Sequence, residues 1–121
     1  MIRKSTSCVV LDNSGADRVR CIQVYRSKVG KLGSTLLVSV KKLRFSERKV
    51  QRKEVYKALV VLQRYGVRRY NGIGWTSDLN SVVLLRRSDK SLIGSRVRGV
   101  LPYDLRWSGQ GRLLLLSEGA Y

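Results

Sequence analysis

The residues best equipped for chemistry are cations crowded on both flanks of one apolar run. Arg48, Lys49, Arg52, Lys53 and Lys57 precede Ala58–Leu62, while Arg64, Arg68 and Arg69 follow it. Lys41, Lys42 and Arg44 extend the first cluster backward. Guanidinium forks bind phosphate oxygens in pairs and ammonium groups act as point charges, so the chemistry on offer is capture of phosphate. From Arg26 to Lys57 the chain holds 11 basic and 2 acidic residues, a net of +9 in 32 residues. That is just over half of the formal +17, which arises from 25 Lys plus Arg against 8 Asp plus Glu, in about a quarter of the 121 residues. Charge so concentrated marks a face and not general solubility.

Bond-breaking chemistry has little to work with. The chain lacks histidine, so Ser–His and Cys–His activation of a nucleophile cannot be assembled from its own residues. The nearest acidic pairs, Asp12/Asp17 and Glu47/Glu54, fall in loops or among cations, where carboxylates balance charge. Its glycines spell neither a Walker A loop nor a G-x-G-x-x-G turn. Cys8 and Cys21 form no C-x-x-C, and without histidine they lack the partners of an ordinary structural zinc site. They read as buried free thiols in a reducing compartment, with a Cys8–Cys21 bridge left open. No catalytic residue, cofactor or metal is expected.

A net charge of this size repels itself unless counter-charge is near, and nucleic acid is the commonest permanent counter-charge. A membrane is not an expected partner: no apolar run reaches the ~18 residues that a span needs, and no basic amphipathic helix stands out. Met1–Ser7 has two charges and no apolar core behind them, so it does not read as a secretory signal. The nine aromatics are dispersed and match no base-stacking pattern, which favours phosphate and shape recognition of folded RNA. The alternative is a free-standing barrel that grips single-stranded RNA through Tyr65, Tyr70 or Trp75; a membrane-surface adaptor is a distant third.

The elements that must hold these cations are short strands. Cys8–Leu11 is a first strand, stopped by the turn-formers Asp12-Asn13-Ser14-Gly15. Val19–Tyr25 is a second, with Ile22 and Val24 expected on the face of Arg20 and Val19, Cys21 and Tyr25 on the other. Thr35–Leu43 alternates, with Leu36, Val38 and Val40 on one side, after a basic loop over Lys28–Ser34. Ala58–Leu62 is apolar on both faces, Ala58, Val60 and Leu62 against Leu59 and Val61, as in a strand covered on two sides. Tyr65–Gly72 reads as a ribbon ending in an Asn71-Gly72 turn. Ser81–Leu85 is another two-sided strand, Pro102 can open a helical turn through Arg106, and Leu113–Leu116 fits a strand or a helix. The expected fold is mainly β: one domain over 1–121, a small closed five-stranded β-barrel with a protruding hairpin and short C-terminal helical turns.

An ordered set of segments resembles one family, the universal large-subunit ribosomal protein fourteen, nearly end to end. The segments are Met1-Ile2, Asp12-Asn13-Ser14-Gly15-Ala16, Arg18-Val19, Cys21-Ile22, Val55–Val61, Gly66–Arg69, Asn80, Val82–Leu85, Ile93–Val97 and Leu105-Arg106. The resemblance implies a structural constituent of the large ribosomal subunit at the intersubunit face near the sarcin–ricin region. Implied partners are large-subunit rRNA, small-subunit rRNA at intersubunit bridges, large-subunit proteins three and nineteen, and a ribosome-silencing factor that contacts Gly94, Ser95 and Arg96. Gly33-Ser34 stands where the family has Gly-Asp, Asn71-Gly72-Ile73 where it has Asp-Gly-Ser, Ser77 where it has an aromatic, and Gly99-Val100 where it has Gly-Pro. Such drift implies an organellar ribosome in the mitochondrial matrix, encoded inside the organelle, with a bacterial cytoplasm or plastid as the alternative.

Overall fold

The computed structural model describes residues 2–44, 50–64, 67–68, 72–88, 91–108 and 112–120. Its strands in chain order are β1 (Ser7–Val10), β2 (Ala16–Val24), β3 (Thr35–Leu43), β4 (Val55–Leu62), β5 (Val67–Arg68), β6 (Gly74–Trp75), β7 (Ser81–Leu85), β8 (Val100–Leu101) and β9 (Gly119–Ala120). Five of them close a barrel in the order β1-β2-β3-β4-β7. Neighbours run antiparallel except at the closing seam, where β1 and β7 are parallel through Val9↔Ser81 and Val10↔Val82. The expected five-stranded barrel is therefore present, and β5 with β6 forms the expected hairpin beside it. Gly72 takes a left-handed φ of 84° between those two strands, while Asn71 lies outside the described residues.

Two apolar cores explain why β4 and β7 carry hydrophobic residues at successive positions. Ala58, Val60, Val82 and Leu84 point into the barrel with Val10, Val19, Leu36, Val38 and Val40. Leu59, Val61, Val83 and Leu85 point outward and are roofed by Val97, Leu101, Leu105 and Leu113 from the C-terminal quarter. Each such side chain contributes about 1.5–3 kcal/mol when fully buried, so the roof is as much a part of the fold as the barrel. Pro102 precedes a 3-10 helix over Tyr103–Ser108, and Leu113–Leu116, undecided from sequence, lies in the short helix α1 (Arg112–Leu116). β8 and β9 pair in parallel around this cap.

Three side-chain directions differ from simple alternation, and bulges are the cause. A register shift between Cys21 and Gln23 turns Val24 inward with Val19 and Cys21, away from the exposed Arg20 and Ile22. A shift between Val60 and Leu62 sends Leu62 to the outer core, away from Ala58 and Val60. On β3 the pairing passes from Arg18↔Lys42 to Val19↔Val40, so Lys41 is the extra residue and both lysines are exposed. A bulge adds one residue to one strand and reverses facing beyond it, which composition does not announce. At the other end, Ile2 and Gly30 exchange backbone hydrogen bonds of 2.9 and 2.6 Å, and a Cβ on Gly30 would meet Leu36 Cδ2 at 2.9 Å.

Both cysteines are free and buried inside the barrel. The Cys8 thiol is pushed up to about 12, by burial first and by Cys21 second. Unfolding releases its proton at any pH between the ordinary thiol value of about 8.5 and that raised one. The stability it contributes is whole below this window and lost as pH rises through it. The thermal denaturation midpoint should therefore fall above about pH 9 more steeply in the native sequence than in Cys8→Ala. Iodoacetamide at about pH 8 should label neither thiol in the folded protein and both after unfolding.

Candidate nucleic-acid interface

Strand direction sorts the cations onto two ends and one side of the barrel. The β1–β2 turn, the described residues between β3 and β4 and those directly after β7 lie at one end. The described residues before β1, the 25–34 loop and the described residues next to the end of β4 and the start of β7 lie at the other. Arg52 and Lys53 are exposed in the first set and Arg64 in the second, so the two basic clusters read from sequence are held apart, not merged. Arg48, Lys49 and Arg69 lie outside the described residues, as does the side chain of Arg68, whose backbone pairs with Gly74. Tyr65 and Tyr70 lie outside them too.

Lys57, which precedes the apolar run Ala58–Leu62 in sequence, lies inside β4. It is half-buried opposite Leu37 and Leu85, with its Nζ 5.9 Å from the centre of the Tyr25 ring. Arg44 is also partly committed within the protein. Its Nη2 donates to the Val10 carbonyl at 3.1 Å, its Nε lies 3.6 Å from Asp17 Oδ1, and only 27% of its side chain is accessible. Asp17 also sits 3.8 Å from Lys42 Nζ.

The outer face of β2 and β3 carries cations that clustering along the chain did not single out. Arg18 stands opposite Lys42 and Arg20 opposite Ser39, both arginines exposed, with Lys41 exposed beside them. Arg18, Arg20 and Lys41 have no carboxylate within 4 Å among the described residues. The available signal was the alternation Arg18-Val19-Arg20-Cys21, which puts two charges on one face of a strand whose other face is core.

Gly94, Ser95 and Arg96 are gathered at the 44–54 end and held by the first turn of the chain. Asn13 Oδ1 accepts from the Ser95 and Arg96 amides at 2.8 and 3.2 Å, and Asn13 Nδ2 donates to Ser95 Oγ at 3.0 Å. The Asn13 amide donates to the Arg96 carbonyl at 3.3 Å. Gly94 fits because a Cβ there would lie 2.8 Å from Asn13 Oδ1 and 2.9 Å from Asp12 Cβ. Behind this latch, buried Asp12 accepts from the Ser14 amide and hydroxyl through Oδ1, and from the Leu84 amide through Oδ2 at 3.0 Å. Burial raises the Asp12 pKa, against the lowering effect of those hydrogen bonds and of Arg44. Its linked stability is whole below the ordinary carboxylate range and lost as pH rises through the folded value, so acid does not unfold the protein through this group. Near the C-terminal cap, the Arg106 guanidinium lies 4.4 Å from the centre of the Tyr103 ring.

The barrel carries cations on three surfaces, and among the described residues no group of His, Cys, Asp or Glu is placed to hold a metal ion. The family model described as ribosomal protein L14p/L23e covers residues 1–119. The chain belongs to that family. It is accordingly a structural protein of the large ribosomal subunit, located on the ribosome, and not an enzyme. Membership in L14p/L23e favours a protein embedded in a particle over a free-standing single-strand binder.

The latch gives this L14p/L23e chain a testable joint. Asn13→Ala should cost about 0.5–1.5 kcal/mol and strip hydrogen-exchange protection from the Ser95 and Arg96 amides while leaving the β4 amides protected. Asp12→Ala leaves buried donors without an acceptor and should cost more, about 2–4 kcal/mol in chemical denaturation.

Proposed function

We propose that the chain is anchored in large-subunit rRNA by phosphate contacts to the outer face of β2 and β3 and to both barrel ends. The observation that carries this reading is the group Arg18, Arg20 and Lys41, exposed side by side without a carboxylate partner among the described residues. No described carboxylate supplies their counter-charge, and a phosphate backbone offers it at fixed spacing. Lys42, Arg52, Lys53, Lys57 and Arg64 extend the contact, joined by Arg48, Lys49, Arg68 and Arg69. Arg44 braces the β1–β2 turn and adds its charge from behind.

Backbone strain supports the same reading. Arg26 and Lys53 occupy left-handed φ values of 65° and 67°. Such a conformation costs a side-chain-bearing residue about 1–2 kcal/mol, and glycine relieves it. A cation at a position where glycine is easier points to a need for the charge.

The finer assignments follow from the family resemblance: contact with large-subunit proteins three and nineteen, bridges to small-subunit rRNA, and docking of a silencing factor on Gly94-Ser95-Arg96. Departures such as Gly33-Ser34 and Ile73 favour a mitochondrial ribosome. The two cores share β4 and β7, which favours one cooperative domain over 1–121.

Replacing Arg18, Arg20, Lys41 and Lys42 together by Gln should lower the slope of log affinity against log salt by roughly three for a large-subunit rRNA fragment. An unchanged slope would remove this face from the interface. Lys53→Gly should leave stability within about 1 kcal/mol, because relieved strain offsets added chain entropy, yet weaken rRNA binding in a filter assay.

A further inference from the structure

We propose that the cleft where the β1–β7 seam opens receives a single unstacked RNA nucleotide, with guanosine preferred. This deepens the rRNA-binding reading and rests on it. The seam ladder starts only at Val9, whose amide donates to the Asn80 carbonyl at 3.0 Å. Ser7 lies two residues earlier on the same strand, so its main-chain N–H and C=O point the same way, toward β7 and away from β2. There they have no partner among the described residues. The resulting cleft of about 160 Å³ suits one flat ring system and is far too small for a duplex.

Its lining supplies each part that recognition of a splayed-out nucleotide needs. Val9 and Leu79 are apolar walls, and Leu79 is 53% exposed at the mouth, where a ring face can cover it. Arg18 from β2 and Arg64 from just beyond β4 supply cations for the attached phosphate. Asn80 Oδ1 is occupied by the Arg64 amide at 2.9 Å, which fixes the side chain and leaves its amide nitrogen as a donor. Asp78 also lines the cleft. Its carboxylate opposes a second phosphate there but accepts well from two parallel N–H groups, and among the common bases guanine presents such a pair on its Watson–Crick edge. The combination of an apolar slot, open main-chain groups, one carboxylate and two arginines therefore selects a nucleotide over a bare anion.

The test uses the full-length protein, amide-resolved NMR, and guanosine 5′-monophosphate as the probe, with the other three monophosphates and inorganic phosphate alongside. Binding of a large-subunit rRNA fragment is measured on the same preparation. The expected result is saturable shifts centred on Ser7, Asp78 and Asn80, largest for the guanosine nucleotide and absent with phosphate alone. Leu79→Asp should weaken that nucleotide about tenfold and the rRNA fragment by no more than the same factor, because the cleft is one of several contacts. Wild-type protein that binds the rRNA fragment but shows no nucleotide shifts at the cleft, or shifts unaffected by Leu79→Asp, overturns the cleft assignment alone. Protein that fails to bind rRNA overturns the broader reading instead.

Discussion

Double-sided burial of β4 and β7 is the constraint on which the rest of the molecule depends. Inward, Ala58, Val60, Val82 and Leu84 fill the barrel; outward, Leu59, Val61, Val83 and Leu85 carry the C-terminal cap. A strand pair spent on two apolar cores has little room for charge, and Lys57 is the one cation within it. Of the other described cations, Arg18, Arg20, Lys41 and Lys42 lie on the outer face of β2 and β3, further ones at the two ends, and Arg98, Arg106 and Arg112 on the exposed surface of the cap. The asymmetry of charge is thus a consequence of packing: one side of the barrel is closed by its own chain, and the other is left to meet something anionic.

Local devices refine that division. The bulge at Lys41 exposes two consecutive lysines without breaking the β2–β3 pair, at the cost of one unpaired residue. Asp17 sits near Lys42 and Arg44, and Arg44 also holds the Val10 carbonyl, so this carboxylate steadies the barrel end and leaves Arg18, Arg20 and Lys41 without a described counter-charge. Asn13 locks residues 95 and 96 in place, which presents the exposed Arg96 side chain from a fixed backbone. Cations presented from rigid backbone lose less freedom on meeting phosphate than cations on a mobile tail.

Much of this was legible along the chain, and the exceptions have physical reasons. Alternation in Thr35–Leu43 and two-sided apolarity in Ala58–Leu62 translate directly into β3 and β4, because side-chain direction in a regular strand has period two. The same rule misplaced Val24 and Leu62, since a single bulge reverses everything after it and leaves no mark in composition. Arg18 and Arg20 stand outside the basic clusters along the chain, because a cross-strand patch is assembled by register and not by neighbourhood in sequence. The Asn13 latch joins positions 82 and 83 residues apart through one side-chain amide. The parallel β1–β7 closure, and the cleft it leaves at Ser7, likewise need the three-dimensional path.

In the proposed anchoring, RNA completes the cationic side of the barrel while the chain itself completes the β4–β7 side. The most direct measurement is a cryo-EM reconstruction of the native large subunit at side-chain resolution. Phosphate oxygens should lie within hydrogen-bonding distance of Arg18, Arg20 and the lysines beside them, with the outer face of β4 and β7 still capped by Leu101, Leu105 and Leu113. A map with those arginines turned toward open solvent, or with the cap displaced by RNA, would contradict it.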